Sequence, residues 1–514
     1  MCGLLYTNIN ITKSEFEASL HKMAYRGSDD IAKTFFFENH KLGHNRLTII
    51  GNDSNGTQPM IYQDRFVIVY NGEIYNYLEL SKKYNIKLEN NSDTELLLKL
   101  FIQNGKSMLC ELRGMFAFVI FDTVKKDIFV ARDRFGIKPL YFYQNNSDFI
   151  FSSTVASIIS ITKHTKINEF SLRQYKKLRN VFNNKTLFSN INIFPAGSYF
   201  ENGKIIKYWE LPSFHNNEII KPELVKEIID DSIKSHMVAD VDIGCYLSGG
   251  LDSSIISSIA SLQIPKLKTY TIGFQDDNEF TYSQIMSDFI NSDHKAIIID
   301  KEEFLSLMQE MIKIKQEPLS VPNEVLLYKL TKNAKKFNKV ILSGEGADEI
   351  FFGYSRIFNW ARNEKWNIAE FSRLYSYGSN EDIEVVEDAI SPFFDKNATN
   401  LEIVCRFFQI AHLQGLLKRL DSSSMLANVE ARVPFVDHVV VEKLFNINFD
   451  CKTNINNPKQ LLKLAYQNYI PPEIITRQKI GFPVDISKII SNKYGNNNYD
   501  KWLNLNIEIF NNLN

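Results

Sequence analysis

The hydrophobic pattern of the chain changes once, near residue 212, and this change constrains the fold more than any other feature. Residues 2–211 show short alternating apolar runs, such as Leu42–Ile50, separated by turn residues, which predicts antiparallel β-strands with few helices. From residue 218 onward, strand-like runs such as Ile243–Leu247 and Lys268–Gly273 alternate with helical periods, which predicts a parallel sheet covered by helices. The segment 212–217 contains Pro, His and paired Asn without periodicity, as is typical of a linker. The sequence therefore predicts two domains, 2–211 and 218–514.

Composition limits the classes of partner. The formal net charge is -1 at pH 7, so no basic field indicates nucleic-acid binding. The 5 cysteines are scattered without a Cys-x-x-Cys pair, which predicts free thiols in a reducing compartment. No signal-peptide pattern and no apolar run long enough to cross a bilayer is present. We therefore expect a cytoplasmic, soluble protein without a nucleic-acid or membrane partner.

Cys2 is a candidate nucleophile because removal of Met1 would leave it at the amino terminus. Its α-amine, with a pKa of about 7.7–8.0, could then accept the thiol proton and act as the general base. A Met-Cys start alone is a weak signal, and other motifs must support it.

A phosphate-binding loop is predicted in the second half, where Ser248, Gly249, Gly250 and Ser253 follow a strand and open a helix. Backbone amides at such a helix start form an anion cradle. The loop lacks the lysine of a Walker motif, which favours binding of a pyrophosphate that leaves. Asp252 in the same loop is a candidate Mg²⁺ ligand, since carboxylate and phosphate oxygens suit that ion.

A second loop, Ser343–Glu349, also follows an apolar strand, and a helix is expected after Asp348. Two glycine-containing turns at the carboxyl ends of strands in one parallel sheet predict a ligand crevice between them. Glu345 and Asp348 are then paired acids with separable tasks, one as a base and the other as a metal ligand. Glu349 is either part of this site or a cap for the next helix.

Further motifs occur in both halves. Those of the first half are Cys2-Gly3, Arg26-Gly27-x-Asp29, His44-x-Arg46-Leu47, Tyr70-Asn71-Gly72-Glu73-Ile74-Tyr75-Asn76, Ser92-Asp93-Thr94-Glu95 and Arg132-Asp133-Arg134-x-Gly136. Those of the second half are the two loops, Val429-Glu430-Ala431-Arg432-Val433-Pro434-Phe435 and Arg477-x-Lys479-x-Gly481-Phe482. The first set resembles the N-terminal-nucleophile glutamine amidotransferase domain. The second is similar to the synthetase domain of the glutamine-hydrolysing asparagine synthetase family.

The resemblance implies an α+β N-terminal-nucleophile sandwich of antiparallel sheets, followed by an α/β parallel-sheet domain of the adenine-nucleotide α-hydrolase type. It implies that the Cys2 thiolate attacks the glutamine amide, with Asn71 and Gly72 as the oxyanion hole. Arg46 and Asp93 match the positions that hold the α-carboxylate and the α-ammonium of glutamine. The implied glutamine-binding set is Arg46, Asn71, Gly72, Glu73 and Asp93.

The resemblance also implies that ATP is the co-substrate, that Mg²⁺ is the metal, and that a carboxylate is activated as its adenylate. Ammonia would arrive through a tunnel between the domains, and Glu345 matches the residue tied to adenylate formation and ammonia attack. The implied nucleotide-binding positions are Tyr246, Ser248, Gly249, Gly250, Asp252, Ser253, Ile272, Ser343, Gly344 and Lys479, with Asp252 and Asp348 as Mg²⁺ ligands.

Residues 316–324 lie where the resemblance places the acceptor, and they depart from the family pattern. Gln316 and Val321 stand where relatives carry acids. The resemblance favours L-aspartate as acceptor and L-asparagine as product, and Glu324 would be the partner of the aspartate ammonium. Two alternatives stay open: the same chemistry on another carboxylate, such as a uronic acid of a bacterial surface sugar, and a scaffold without catalysis. Assembly as a homodimer is also left open.

Overall fold

The computed structural model describes residues 2–29, 31–51, 56–378, 381–395, 397–478 and 484–513. Its first part contains two six-stranded antiparallel sheets, with orders β10-β8-β9-β1-β3-β2 and β12-β11-β7-β6-β5-β4. The strands are β1 Gly3–Thr7, β2 Lys33–Phe37, β3 His40–Asn45, β4 Met60–Tyr62, β5 Phe66–Ile74, β6 Gly114–Asp122, β7 Asp127–Arg132, β8 Tyr141–Asn145, β9 Asp148–Ser152, β10 Ile191–Ile193, β11 Ser198–Glu201 and β12 Lys204–Lys207. The helices of this part are α1 Lys13–His21, α2 Tyr77–Lys83, α3 Asp93–Asn104, α4 Val155–Thr162 and α5 Glu169–Leu178.

The two antiparallel sheets form a sandwich. Alternate residues of β1, such as Leu4 and Tyr6, pack with Val67 and Val69 of β5 in one buried cluster. A strand places every second side chain on the same face, so this alternation buries one face of each sheet against the other. The predicted N-terminal-nucleophile sandwich is confirmed.

The second part contains a five-stranded parallel sheet of order β15-β14-β13-β16-β17. Its strands are β13 Ile243–Tyr246, β14 Lys268–Gly273, β15 Asp293–Ile298, β16 Val340–Leu342 and β17 Glu430–Arg432. The helices are α6 Pro222–Ser235, α7 Leu251–Ser261, α8 Phe280–Ile290, α9 Lys301–Lys315, α10 Asn323–Ala334, α11 Ala347–Ile350, α12 Ser355–Asn363, α13 Ile368–Tyr375, α14 Ile383–Ile390, α15 Asn400–Phe407, α16 Leu413–Leu426, α17 His438–Leu444, α18 Phe449–Lys452, α19 Gln460–Tyr466, α20 Pro472–Ile475, α21 Ile486–Ile489 and α22 Asn498–Asn511. The predicted α/β domain is confirmed.

The strand order places the nucleotide crevice. From β13 the chain adds β14 and β15 on one side, and then crosses to β16 and β17 on the other. Loops that follow β13 and β16 therefore meet where the winding direction changes, which is the usual ligand site of such sheets.

Two local predictions were wrong. The apolar run from Leu42 to Ile50 is a strand only to Asn45, because the chain then leaves the sheet. The helix expected after Asp348 is the four-residue α11, which contains Asp348 itself. Left-handed backbone at Gly346 (φ 96°) and Phe352 (φ 57°) limits this helix at both ends.

Ion pairs join the two parts of the chain, among them Arg26–Asp421, Arg113–Asp437 and Asp29–Lys339. In the part of the chain that the structure describes, no helix is both long and apolar enough to span a membrane.

Candidate active sites

Cys2 lies directly before β1, whose pairing with both β3 and β9 fixes its position. Its backbone nitrogen, which removal of Met1 would convert to the α-amine, donates to Asn71 Oδ1 at 3.0 Å. Its Sγ lies 3.8 Å from the carbonyl oxygen of Leu47. Burial raises the pKa of the thiol, while the positive amino terminus opposes this rise. A thiol with a raised pKa needs a base close at hand, and the α-amine that removal of Met1 would expose is the predicted base.

Asn71 and Gly72, both in β5, are the predicted oxyanion-hole donors. Asn71 is fully buried, and within the described residues its Nδ2 has no hydrogen-bond partner. A side chain at Gly72 would place Cβ 2.1 Å from the Met115 carbonyl oxygen, so only glycine fits there. An amide donor without an acceptor, beside a thiol, is what an oxyanion hole requires.

Asp93 opens α3 and contacts β5, the strand that carries Asn71. Its Oδ2 accepts hydrogen bonds from the Tyr70 hydroxyl at 2.8 Å and the Ile74 amide at 3.0 Å. Burial raises the pKa of Asp93 to about 6, although these donors oppose the rise. Glu73 is also buried, and burial with the nearby Asp93 charge raises its pKa well above the usual range. Arg46 donates to the Gly51 carbonyl at 2.6 Å from Nη2.

The first phosphate loop has the predicted form. The Ser248 hydroxyl accepts from the Gly250 amide at 3.2 Å and lies 3.1 Å from Ser253 Oγ. Gly249 has φ 74°, and a Cβ there would lie 2.4 Å from the Tyr282 carbonyl carbon. Small residues are therefore required at this turn, which opens α7.

The second loop meets the first. A Cβ on Gly344 would lie 3.0 Å from the Ser253 amide nitrogen and from Asp252 Cβ, so the two loops pack against each other. The Ser343 amide donates to the Arg432 carbonyl at 2.8 Å, which fixes the loop at the end of β16. The structure thus brings together the two loops predicted to hold the nucleotide.

The remaining predicted nucleotide-binding residues outside the two loops are Tyr246, Ile272 and Lys479. Tyr246 and Ile272 lie at or near the carboxyl ends of β13 and β14, and the Tyr246 hydroxyl already contacts Thr331 Oγ1 at 2.5 Å. Lys479 lies outside the described residues. Its neighbour Arg477 donates to the Gly249 carbonyl at 3.1 Å from Nη1.

Comparison with known proteins identifies a family for each part of the chain. A family model for a glutamine amidotransferase domain matches residues 1–209, and one for asparagine synthase matches residues 224–507. The chain belongs to the asparagine synthase family. It is therefore a glutamine-dependent amidotransferase of the asparagine synthetase type, and the predicted enzyme class is confirmed.

Curated members of the asparagine synthase family align over most of the chain. Glutamine-hydrolysing asparagine synthetase 1 of Bacillus subtilis is 30% identical, over 92% of this chain and 84% of the relative. Putative asparagine synthetase 2 of Methanocaldococcus jannaschii is 34% identical, over 70% of this chain and 77% of the relative. Asparagine synthetase B of Escherichia coli is 27% identical, over 92% of this chain and 79% of the relative.

Lys459 is a site residue that the sequence reasoning missed. Its Nζ lies 2.6 Å from Asp252 Oδ2 and 2.5 Å from Asp348 Oδ1, so it joins the acids of both loops. Burial alone would lower its pKa, but the two carboxylates raise it. No local motif marks this lysine, because it reaches the loops from before α19.

Arg432 is a second missed residue, although it lies within a quoted motif. Its Nε is 2.6 Å from Glu430 Oε1, and its Nη2 is 3.9 Å from Glu73 Oε1 in the other domain. Burial disfavours the Glu430 charge, but Arg432 outweighs it and lowers the Glu430 pKa to about 2. Since the Arg432 carbonyl holds Ser343, one residue contacts both sites.

Glu349 is buried beside the second loop and does not act as a simple helix cap. It accepts a hydrogen bond from the Tyr354 hydroxyl at 2.7 Å. Burial, together with the Asp348 charge, raises its pKa to about 8. Glu345 lies half-buried at the same turn.

The two acidic residues of the divergent segment 316–324 form ion pairs with lysines elsewhere in the protein. Glu317 pairs with Lys418 at 2.9 Å. Glu324 pairs with Lys315 at 3.0 Å and accepts from the Ser320 amide at 2.5 Å. Both Glu324 oxygens are thus engaged at the turn before α10, so the structure does not support the expectation that Glu324 holds a substrate ammonium.

Proposed function

We propose that this protein hydrolyses glutamine at Cys2 and uses the ammonia to amidate a carboxylate that ATP has activated. The observation that carries the proposal is the Cys2–Asn71 contact in one domain together with the meeting of the two loops in the other. The domain limits that we assign to these two activities are 2–211 and 218–514.

In the first half-reaction, the α-amine takes the Cys2 thiol proton, and the thiolate attacks the side-chain amide carbon of glutamine. Asn71 Nδ2 and the Gly72 amide donate to the developing oxyanion. Ammonia leaves with the proton returned by the amine, and water then hydrolyses the thioester to glutamate. Asp93 and Glu73 face the substrate ammonium, and Arg46 faces its carboxylate.

In the second half-reaction, the acceptor carboxylate attacks the α-phosphorus of ATP and pyrophosphate leaves. Ser248, Gly249, Gly250 and Ser253 hold the pyrophosphate at the start of α7. Ammonia attacks the adenylate, a base accepts its proton, and AMP leaves. We assign the base to Glu345, which lies in the second loop, and assign to Lys479 a phosphate contact.

The residues present fit Mg²⁺. Asp252 and Asp348 converge on one cationic group, the Lys459 ammonium, and paired carboxylates with phosphate oxygens suit this ion. When bound, Mg²⁺ would neutralise phosphate charge. We assign Asp252 and Asp348 as its protein ligands.

For the acceptor, the names of the relatives support L-aspartate, with L-asparagine as the product. A second candidate, a carboxylate of a larger molecule such as a uronic acid, is supported by one observation. The acids of the divergent segment are paired internally, whereas an amino-acid ammonium needs an acidic partner.

Pyrophosphate release, measured across a panel of carboxylates with ATP and glutamine, tests the proposal. We expect release, AMP formation and glutamate formation to depend on one member of the panel. ATP turnover without any amide product contradicts the proposed reaction.

A further inference from the structure

We propose that a cavity beside the Asp348–Lys459 pair binds a second anionic group of the acceptor through Arg179, Arg356 and Arg419. This inference rests on the proposed amide synthesis and names the class of its substrate. The space, which we call the arginine cavity, has a volume of about 450 Å³. Sites for small organic ligands commonly have such volumes.

The arginine cavity adjoins the predicted chemistry. Gly353 lines it, and the Gly353 amide donates to the Asp348 carbonyl at 2.8 Å. A Cβ at Gly353 would lie 1.8 Å from Asp348 Oδ1 and 2.6 Å from Lys459 Cε. Ser320 and Val321 of the divergent segment also line the cavity. An acceptor lying there would therefore reach the loop that carries Glu345.

Of the three arginines, Arg179 offers a buried guanidinium donor without a partner among the described residues, Arg419 is half-buried and Arg356 is exposed. Arg179 is only 5% exposed, and its Nη2 donates to the Tyr499 carbonyl at 2.9 Å. Its buried Nη1 has no hydrogen-bond partner within the described residues. In the same part of the chain, Arg356 and Arg419 make no ion pair within 4.0 Å. A buried guanidinium donor without an acceptor favours an anionic ligand.

The arginine cavity also lacks the partner that a free amino acid needs. Among its described lining residues none is acidic. The nearest acids of the divergent segment, Glu317 and Glu324, are paired with Lys418 and Lys315. An α-ammonium would face the arginines, which repel it, whereas a phosphate or a second carboxylate would be attracted.

Aromatic side chains complete the wall. Tyr354, Tyr375, Tyr377 and Phe408 line the arginine cavity. The Tyr375 hydroxyl contacts His412 Nδ1 at 2.9 Å. Tyr375 and Tyr377 also stack on Phe371 and Tyr499, with ring centroids 5.4 and 5.9 Å apart, so the aromatic wall is held in place. Flat apolar walls with a few charged groups suit a ring-containing acceptor that carries charge at both ends. The predicted class is a sugar carboxylate with a remote phosphate or carboxylate.

A matched set of acceptors tests this class. The set is glucuronic acid, glucaric acid with a second carboxylate, glucuronic acid 1-phosphate, uridine diphosphate glucuronic acid and aspartate, each with ATP and glutamine. We expect kcat/KM for pyrophosphate release to be at least about tenfold higher for a sugar acid with a second anionic group than for glucuronic acid, which has one, or for aspartate, whose α-ammonium the arginines repel. Glucaric acid and the phosphorylated acids then distinguish carboxylate from phosphate. Highest kcat/KM with aspartate overturns the inference and leaves the proposed amide synthesis in place.

Two variants test whether Arg356 and Arg419 bind the second anionic group of the acceptor. Arg356→Gln and Arg419→Gln should raise the KM of the preferred doubly charged acceptor about tenfold or more and leave glutaminase activity unchanged. Arg362→Gln, on the same helix α12 as Arg356 and paired with Asp450 at the surface, is the matched control. An unchanged KM in both variants, with glutaminase activity intact, overturns the inference.

Direct binding separates this inference from the proposed function. Calorimetric titration with glucuronic acid 1-phosphate should show binding to the wild-type enzyme and to Arg362→Gln, and at least about tenfold weaker binding to Arg419→Gln. This result supports the anion site even without turnover, in which case the proposed amidation alone fails. Absent binding, or equal binding by wild type and Arg419→Gln, overturns the inference.

Discussion

Arg26 of the amidotransferase domain and Asp421 of the synthetase domain form a buried, two-point ion pair, with Nη1–Oδ2 at 2.9 Å and Nη2–Oδ1 at 3.3 Å. The remaining guanidinium nitrogen of Arg26, Nε, donates to the Cys2 carbonyl at 3.3 Å. A helix of one domain thus helps to fix the nucleophile of the other.

Asp421→Asn should lower both stability and the use of glutamine. Removing one partner of a buried pair leaves the other charge uncompensated, at a cost of about 3–5 kcal/mol. Because Arg26 also holds Cys2, glutamine-dependent amide synthesis should fall more than ammonium-dependent synthesis. Thermal unfolding and the two rates check this. Asp382→Asn, in an exposed pair with Arg173, is the control and should change little. An equal fall in both rates contradicts a role for the pair at Cys2.

Glutamine binding should weaken as the pH falls through about 6. The Asp93 pKa is raised to about 6 by burial, so Asp93 is ionised above that pH and neutral below it. Only the ionised form attracts the glutamine ammonium, and the KM for glutamine should therefore rise on acidification. Asp93→Asn should have a high KM with no inflection near this pH. An inflection that persists in the variant would assign the titration to another group.

Glu345→Gln should separate the two activities. The variant keeps the shape of the side chain but cannot accept a proton, and loss of a general base commonly costs about 10²–10⁴-fold in rate. Amide synthesis should fall by such a factor while glutaminase activity persists. A normal synthesis rate would move the base elsewhere, and Asp348 is then the next candidate.

Lys459→Met should make stability depend on Mg²⁺. Without Lys459, Asp252 and Asp348 lose the cation that they share, and like charges at short range repel. We expect a lower Tm in EDTA and a larger rise in Tm on adding Mg²⁺ than in the wild type, since a ligand that binds only the folded state stabilises it. Lys463→Met, on α19, is the control. The same Mg²⁺ response in variant and wild type contradicts this assignment of the metal ligands.

The sequence predicted those site residues that belong to a short, continuous motif. Gly249 and Gly344 lie at turns where a side chain would clash, so the strand, glycine turn and helix start appear together in the sequence. The Asp252–Lys459 and Arg26–Asp421 contacts join residues 207 and 395 positions apart. Only the folded chain brings such pairs together, and neither periodicity nor motif spacing reveals them. The sequence did not reveal the arginine cavity for the same reason, because its three arginines come from the end of α5, from α12 and from α16.

The two-site mechanism requires that Cys2 makes the ammonia that a separate site uses. The decisive measurement is amide formation by Cys2→Ala with glutamine or with ammonium chloride as nitrogen donor, using the acceptor found by pyrophosphate release. We predict no amide from glutamine and a rate from ammonium close to that of the wild type. Loss of both rates in a folded variant, or amide formation from glutamine without Cys2, would contradict the two-site mechanism.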